Sequence, residues 1–167
     1  RRLALTGQAG KRLVAEADRS VRRELVLAVD VGHGQLSPTL ANRVGLVSLE
    51  GVNVRDLVPA SFAAELAGRV IDLVVADLSF ISLRLVLGPL ASVASADADL
   101  VVLIKPQVEV GRTGIREGVG REPGLRLEAI LGVLDAARDA GLGCVALAPS
   151  PIVGTHGNVE FLAHLRA

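Results

Sequence analysis

The 167-residue sequence has very few aromatic residues and no excess of charge of either sign. Its only aromatic residues are Phe62, Phe80 and Phe161, and its 18 basic and 18 acidic residues balance to a formal net charge of zero. Such a chain lacks both a generally basic surface and a cluster of rings on which bases could stack. If this domain acts on nucleic acid, we expect another module to supply much of the grip.

Cysteine and long apolar runs are also scarce. The single cysteine, Cys144, lies in an apolar run and is expected to be a buried, inert thiol in a protein of the reducing cytoplasm. The three histidines are scattered, so no metal site is expected. No apolar segment is long enough to span a bilayer and no signal peptide is visible, so we expect no membrane partner.

Lysine is the rare basic residue, since only Lys11 and Lys105 among the 18 basic side chains are lysines. A desolvated lysine can give up its proton, whereas an arginine stays charged. Lys105 is therefore a candidate for chemistry that arginine cannot perform. Biased codon usage is the alternative explanation.

Two short apolar runs, Leu73–Ala76 and Leu100–Ile104, each end in one charged residue, Asp77 and Lys105. Continuous runs of this length are typical of strands buried on both faces of a parallel sheet. Ligands of such sheets bind beyond the carboxyl ends of the strands. We therefore predict that Asp77 and Lys105 project into one crevice, with a purely structural ion pair as the alternative.

The start of the chain predicts a βαβ unit with a glycine-containing turn. Gly7 and Gly10 follow the first predicted strand, and Asp30 ends the second, where an acid accepts hydrogen bonds from a ribose. The spacing is neither GxGxxG nor a P-loop, so an ordinary turn is an equally natural reading of the glycines. Asn53 follows the third strand and is expected near the same crevice.

Strands and helices alternate along most of the chain, which predicts a doubly wound α/β sheet and one domain over residues 1–167. The predicted strands are Arg1–Thr6, Leu25–Val29, Leu46–Leu49, Ile71–Ala76, Leu100–Ile104, Cys144–Ala148 and Val159–Leu165. The predicted helices are Leu13–Arg23, Pro38–Asn42, Pro59–Leu66, Ser79–Ala94 with a break near Gly88-Pro89, and Pro123–Ala140. The last of these helices should bury Leu127, Ile130, Leu131, Leu134 and Ala137.

A Pro- and Gly-rich loop without a helix joins the last two predicted strands, so they should be antiparallel. A mostly parallel sheet with an antiparallel last strand is typical of the Rossmann-like methyltransferase fold. Gly111–Glu122, rich in glycine and arginine, is expected to be a mobile loop that could cover the crevice.

Four segments resemble one known family. They are Asp30-Val-Gly-His-Gly-Gln-Leu36, Asp72-Leu-Val-Val-Ala-Asp77-Leu-Ser-Phe-Ile-Ser-Leu83, Ile104-Lys-Pro-Gln-Val-Glu-Val-Gly111 and Gly157-Asn-Val-Glu160. Together they resemble the TlyA (hemolysin A) family of FtsJ-like, S-adenosylmethionine-dependent methyltransferases, which modify ribose 2′-hydroxyls of ribosomal RNA. The resemblance spans residues 25 to 167.

The resemblance implies a catalytic Lys-Asp-Lys-Glu tetrad, and its last three members match Asp77, Lys105 and Glu160. The first lysine would precede Arg1; using Lys11 instead would delete the first strand, so we do not prefer that alignment. The implied cofactor is S-adenosylmethionine, and the implied partner is ribosomal RNA or a ribosomal subunit, with cytidine as the target. The implied cofactor-binding residues are Gly7, Gly10, Asp30, Val31, Asn53, Asp77 and Leu78.

Two departures from the family keep other functions open. The glycine loop lacks the usual acidic residue at its start, and the family's S4-like RNA-binding domain has no counterpart in this sequence. A cofactor-binding or inactive remnant is therefore one alternative. A membrane-active hemolysin is another, which we disfavour because no stretch combines a strong apolar face with a basic rim.

Overall fold

The computed structural model describes residues 2–6, 25–41, 43–110, 122–154 and 157–167, and for residues 2–6 it describes the backbone. The predicted helix Leu13–Arg23 and the residues Gly7, Gly10 and Lys11 lie outside these ranges. The predicted loop Gly111–Glu122 also lies outside them, except for its last residue.

The centre of the fold is a seven-stranded sheet with the strand order β3-β2-β1-β4-β5-β7-β6. The first five strands pair in parallel, and β7 runs antiparallel to both β5 and β6. The doubly wound sheet and its antiparallel last strand are thus as the sequence predicts. The strands are β1 Arg2–Thr6, β2 Val26–Asp30, β3 Leu46–Glu50, β4 Leu73–Asp77, β5 Asp99–Ile104, β6 Gly143–Pro149 and β7 Phe161–Arg166.

The most deeply buried residues of β4 and β5 alternate along each strand and so share one face of the sheet. Leu100, Val102 and Ile104 of β5 are at most 1% exposed, as are Val74 and Ala76 of β4. Fully burying one such aliphatic side chain contributes roughly 1.5–3 kcal/mol relative to leaving it in water. This burial keeps β4 and β5 in register and brings their carboxyl ends to one edge of the sheet.

Five α-helices are described, and most of them are short. They are α1 Pro38–Ala41, α2 Ala63–Leu66, α3 Leu87–Val93, α4 Pro106–Glu109 and α5 Pro123–Asp139, with 3₁₀ turns at Val54–Asp56 and Leu83–Leu85. None of the helices in the described ranges has the length and apolar composition needed to cross a bilayer. The predicted helix Pro59–Leu66 is too long by four residues, because the chain forms turns before Ala63.

The end of α5 is as predicted, and its buried face is partly so, because Ile130 and Ala137 are buried and Leu134 packs against the core. Gly141 has φ +79° and donates its amide to Arg138, a left-handed cap that glycine adopts without steric cost. Leu127 and Leu131 are 57% and 51% exposed. The helix is rotated so that a neighbouring stripe faces the sheet, and its buried residues are Ala129, Ile130, Val133 and Ala137.

The predicted helix Ser79–Ala94 is wrong in its first half. Residues 79–82 form a loop, and the α-helix begins only at Leu87. Gly88-Pro89 does not break this helix, because Pro89 lies in the first turn, where its missing N–H group would have no partner. The loop instead carries Phe80 in a left-handed conformation, with φ +67°.

Cys144 is exposed, and the expectation of a buried thiol is wrong. The reason is the position of β6, whose only neighbour among the described strands is β7 and whose seven residues are all exposed. An apolar run therefore indicated a strand here without indicating burial.

Candidate active site

Asp77 and Lys105 form a buried ion pair at the carboxyl ends of β4 and β5. Lys105 Nζ lies 2.6 Å from Asp77 Oδ1, and the two side chains are only 10% and 4% exposed. Lys105 Nζ also donates a hydrogen bond of 3.3 Å to Ser79 Oγ. Asp77 Oδ1 is fully buried and accepts no well-aligned hydrogen bond within the described residues, so charge attraction dominates its contact with Lys105.

The backbone around Lys105 explains how its side chain reaches this position. Lys105 is extended, with φ −111° and ψ 97°, as expected of a residue before proline. Pro106 then starts helix α4, which the sequence analysis did not predict. Proline is favoured at the first position of a helix, because its fixed φ suits the helix and no N–H is needed there.

Glu160 lies just before β7 and is buried at 8% exposure. Its Oε1 atom accepts a hydrogen bond of 2.8 Å from Gln107 Nε2 on α4. A Cβ atom on Gly154 would lie 2.5 Å from the same Oε1 atom, so glycine lets the backbone at this position approach the carboxylate without displacing it. Since β7 is the neighbour of β5, Glu160 lies on the same side of the molecule as Lys105.

Glu109 is a buried acid that the sequence analysis did not single out. Its Oε2 atom accepts a hydrogen bond from the Ser82 hydroxyl, and its Oε1 atom accepts one of 2.8 Å from the Leu83 amide. Burial raises the pKa of Glu109, and these two hydrogen bonds oppose the shift. The available signal was an acid within the segment Ile104–Gly111, which carries part of the family resemblance.

The predicted ribose-binding acid, Asp30, lies at the end of β2 and is half-buried. Its Oδ1 atom accepts a 2.7 Å hydrogen bond from the Gly32 amide, which holds the following loop against it. The next residue, Val31, is 67% exposed and presents an apolar side chain beside this carboxylate. Glu50 supports the same loop, since its Oε1 atom accepts from the Gly34 amide at 2.8 Å.

Asn53 and Leu78 occupy different environments. Asn53 is exposed, and its Oδ1 atom caps the following 3₁₀ turn by accepting a 3.1 Å hydrogen bond from the Arg55 amide. A capping role therefore accounts for its carbonyl oxygen without a ligand. Leu78 is half-buried directly after Asp77. Gly7 and Gly10 lie outside the described ranges.

Phe80 is an exposed aromatic residue in the loop that follows Asp77. This ring is 95% exposed, three residues after Asp77 and next to Ser79, which contacts Lys105. Its φ of +67° is unusual for a bulky residue and marks a backbone held in place by its surroundings. One exposed ring is not the cluster of rings whose absence the composition predicted, but Phe80 is an aromatic side chain open to solvent close in sequence to Asp77.

The strand order and the charged residues at one edge of the sheet are those of a Rossmann-like methyltransferase. The fibrillarin pre-rRNA processing protein of Methanococcus jannaschii shares this fold, with a TM-score of 0.69 and 12% identity over 97% of this chain and 65% of that chain. The model of the FtsJ-like methyltransferase family matches residues 10–167. The chain belongs to this family, which confirms the resemblance drawn from its motifs.

Individual relatives are more similar. The 16S/23S rRNA (cytidine-2′-O)-methyltransferase TlyA of Mycobacterium tuberculosis is 47% identical over 142 residues, which are 84% of this chain and 51% of the relative. Hemolysin A of Brachyspira hyodysenteriae is 34% identical over 83% of this chain and 57% of its own length. A solved structure from Streptococcus thermophilus, described as a candidate hemolysin, has a TM-score of 0.84 and 36% identity, covering 98% of this chain and 57% of that one.

This chain spans about half the length of the first of these relatives. The family assignment therefore applies to this methyltransferase domain, while the activity, substrate and partners of a longer protein require a separate argument.

Proposed function

We propose that this chain is a catalytic domain that transfers a methyl group from S-adenosylmethionine to a ribose 2′-hydroxyl of ribosomal RNA. The observation that carries the proposal is the buried Lys105–Asp77 pair at the carboxyl ends of two adjacent parallel strands. Support for the substrate comes from the relative of 47% identity, which is named as an rRNA (cytidine-2′-O)-methyltransferase. Cytidine in ribosomal RNA is accordingly the proposed target.

The described residues fit S-adenosylmethionine in their chemistry. Ribose hydroxyls are hydrogen-bond donors and the methionine part carries an ammonium group, while Asp30 and Asp77 offer carboxylates at the ends of β2 and β4. The exposed side chain of Val31 offers an apolar surface for the adenine beside Asp30.

When bound, S-adenosylmethionine supplies an activated methyl group, because its sulfonium is a good leaving group. Lys105 Nζ is then the group that polarises the 2′-hydroxyl and stabilises the negative charge developing on its oxygen, while the hydroxyl proton passes to the Glu160 carboxylate. Asp77 holds Nζ in place through the 2.6 Å ion pair. Glu160, fixed by Gln107, orients the hydroxyl from the β7 side.

Phe80 is the proposed contact for the nucleotide base. A free ring three residues from Asp77 can stack on any base, and base–aromatic stacking contributes about 1–3 kcal/mol. A single ring is nevertheless a small RNA-binding surface for a chain of zero net charge. We accordingly propose that ribosomal RNA, within a subunit, is gripped mainly by groups other than those described.

The experiment begins with calorimetric titration of S-adenosylmethionine into the purified chain. Methyl transfer to ribosomal subunits is then followed by nucleoside mass spectrometry for the wild type, Lys105→Met and Lys105→Arg. Both substitutions are expected to lower the rate at least about a hundred-fold, because neither side chain can replace the ammonium group in this geometry.

Arg138→Met is the matched control, since Arg138 is exposed on α5 and pairs only with Asp135 among the described residues. Wild-type rates in both Lys105 variants would overturn the proposed mechanism. Absence of cofactor binding at millimolar concentration would instead favour an inactive remnant. Leakage of liposomes caused by the pure chain would favour the hemolysin alternative.

A further inference from the structure

Helix α4 begins directly after Lys105 and makes side-chain hydrogen bonds to Glu160 and to the segment that follows Asp77. It begins directly after Lys105 at the end of β5, and β5 lies between β4 and β7 in the sheet. We propose that α4 is a positioning bracket, in which Gln107 fixes Glu160 on one side and Glu109 fixes the loop after Asp77 on the other. The proposal rests on the proposed function, because it explains how that site is held together.

The spacing within α4 suits this role. Gln107 and Glu109 are two residues apart, so their side chains leave the helix about 200° apart, on nearly opposite sides. The amides of Val108 and Glu109 both donate to the Lys105 carbonyl, at 2.8 and 3.2 Å, which couples the helix to the catalytic lysine. The two side chains therefore contact different neighbours of the helix: Gln107 contacts Glu160, and Glu109 contacts Ser82 and Leu83.

The hydrogen bond from Gln107 to Glu160 leaves the other polar atom of the Gln107 amide buried and unpaired among the described residues. Its Nε2 atom donates to Glu160 Oε1 at 2.8 Å, while its own Oε1 atom is buried and has no hydrogen-bond partner within the described residues. A leucine would fill similar space without leaving a buried acceptor unpaired. On the other side, the backbone of Gly154 lies so close to Glu160 that a Cβ atom there would be 2.5 Å from Oε1.

Glu109 fixes the loop that follows Asp77. It accepts hydrogen bonds from both the hydroxyl of Ser82 and the amide of Leu83. The same loop contains Ser79, which accepts a hydrogen bond from Lys105. The segment after Asp77 is therefore attached at two points: Lys105 contacts Asp77 and Ser79, and Glu109 contacts Ser82 and Leu83.

The test for Gln107 is a double-mutant cycle with Glu160, measured on ribosomal subunits. Gln107→Leu is expected to lower kcat about ten- to a hundred-fold and to leave KM within about two-fold, because it misplaces a group without removing substrate contacts. In the background of Glu160→Gln, the same change should have little further effect. Equal effects of Gln107→Leu in both backgrounds would show that Gln107 does not act through Glu160.

Gln107→Glu adds a readout that simple loss of packing would not produce. Two adjacent carboxylates resist being ionised together, so the acid side of the pH–kcat profile should move to higher pH. An unchanged profile in a folded Gln107→Glu variant would contradict the bracket on the Glu160 side.

The test for Glu109 compares Glu109→Ala with Glu109→Gln, and uses Glu128→Ala at an exposed position of α5 as the control. Amide hydrogen exchange at Leu83 should become at least about ten-fold faster in Glu109→Ala, with a matching loss of kcat. Glu109→Gln should restore both, because its carbonyl oxygen can still accept from the amide. Unchanged exchange at Leu83 in Glu109→Ala would overturn this half of the proposal.

These readouts also separate the bracket from the proposed function. If the wild type transfers no methyl group, the proposed function fails, but the exchange at Leu83 still tests Glu109. The side-chain NH₂ signal of Gln107 in a ¹⁵N spectrum likewise tests its contact, and should move when Glu160→Gln is introduced. A signal that does not move would overturn the Gln107–Glu160 link independently of any activity.

Discussion

Asp77 and Lys105 bury opposite charges side by side, so each compensates for the hydration that the other has lost. Removing one partner leaves a buried charge, and Asp77→Leu should lower the free energy of unfolding by about 3–5 kcal/mol. The double variant Asp77→Leu/Lys105→Met should recover most of this stability and none of the activity. Urea unfolding measures both effects. A double variant no more stable than the single one would contradict the pairing.

Glu109 makes stability depend on pH in a predictable direction. Burial raises its pKa above the ordinary value of 4.5, so the folded state holds the proton more tightly than the unfolded chain does. The contribution of Glu109 to the free energy of unfolding should therefore be complete below pH 4.5. It should be lost as the pH rises through the raised pKa of the folded state. In Glu109→Gln this fall should disappear. Urea unfolding over a pH series measures this dependence, with Glu128→Gln as the control. If the free energy of unfolding of both variants fell with pH as it does in the wild type, Glu109 would not be the cause.

At the scale of elements, Asp99 joins the start of β5 to the end of β7. Its Oδ1 atom contacts His164 Nε2 at 2.7 Å and accepts from Arg166 Nε at 2.9 Å. The hydrogen bond to His164, followed by the one to Arg166, holds the pKa of Asp99 below its ordinary value of 3.8. The stabilisation is thus present above pH 3.8 and is lost as the pH falls through the lower folded-state pKa.

Asp99→Asn should accordingly have a melting temperature that depends less on acidity than that of the wild type. Thermal unfolding followed by circular dichroism from neutral to strongly acidic pH would measure this difference. Asp135→Asn serves as the control, because Asp135 is an exposed acid in an ion pair within one helix. If the melting temperatures of the wild type and Asp99→Asn fell equally as the pH was lowered, the contacts of Asp99 would not stabilise the antiparallel strand pair.

The elements that could be predicted from the sequence are those with a strong local signal. The apolar runs of β4 and β5 and the glycine end of α5 were recognised because hydrophobic period and capping depend on neighbouring residues alone. Cys144 and Leu131 were misjudged because their exposure depends on which strand lies at the edge and how a helix is rotated. Helix α4 was missed because four residues show no periodicity.

For the molecule as a whole, the site depends on strand order. Asp77, Lys105 and Glu160 were identified from motifs, yet only the order β4-β5-β7 explains why they lie on neighbouring strands. The contacts of Gln107 and Glu109 could not be predicted, because each joins residues at least 26 positions apart in the sequence. A sequence can therefore nominate reactive residues more readily than the residues that hold them.

The proposed cofactor site would connect the β2 and β4 sides of the sheet, so binding should stabilise the whole domain. A ligand that binds only the folded state adds about 2.7 kcal/mol to the free energy of unfolding at a concentration of 100 Kd. We expect urea unfolding of the wild type to show this gain with S-adenosylmethionine.

Asp30→Ala should lose most of this stabilisation by the cofactor, because Asp30 is the proposed partner of the ribose hydroxyls. Its matched control is Asp56→Ala, an exposed acid in the 3₁₀ turn after Asn53, which should keep the gain. Equal stabilisation of both variants would place the ribose elsewhere, whereas no stabilisation of the wild type at millimolar ligand would remove the basis for a cofactor site in this chain.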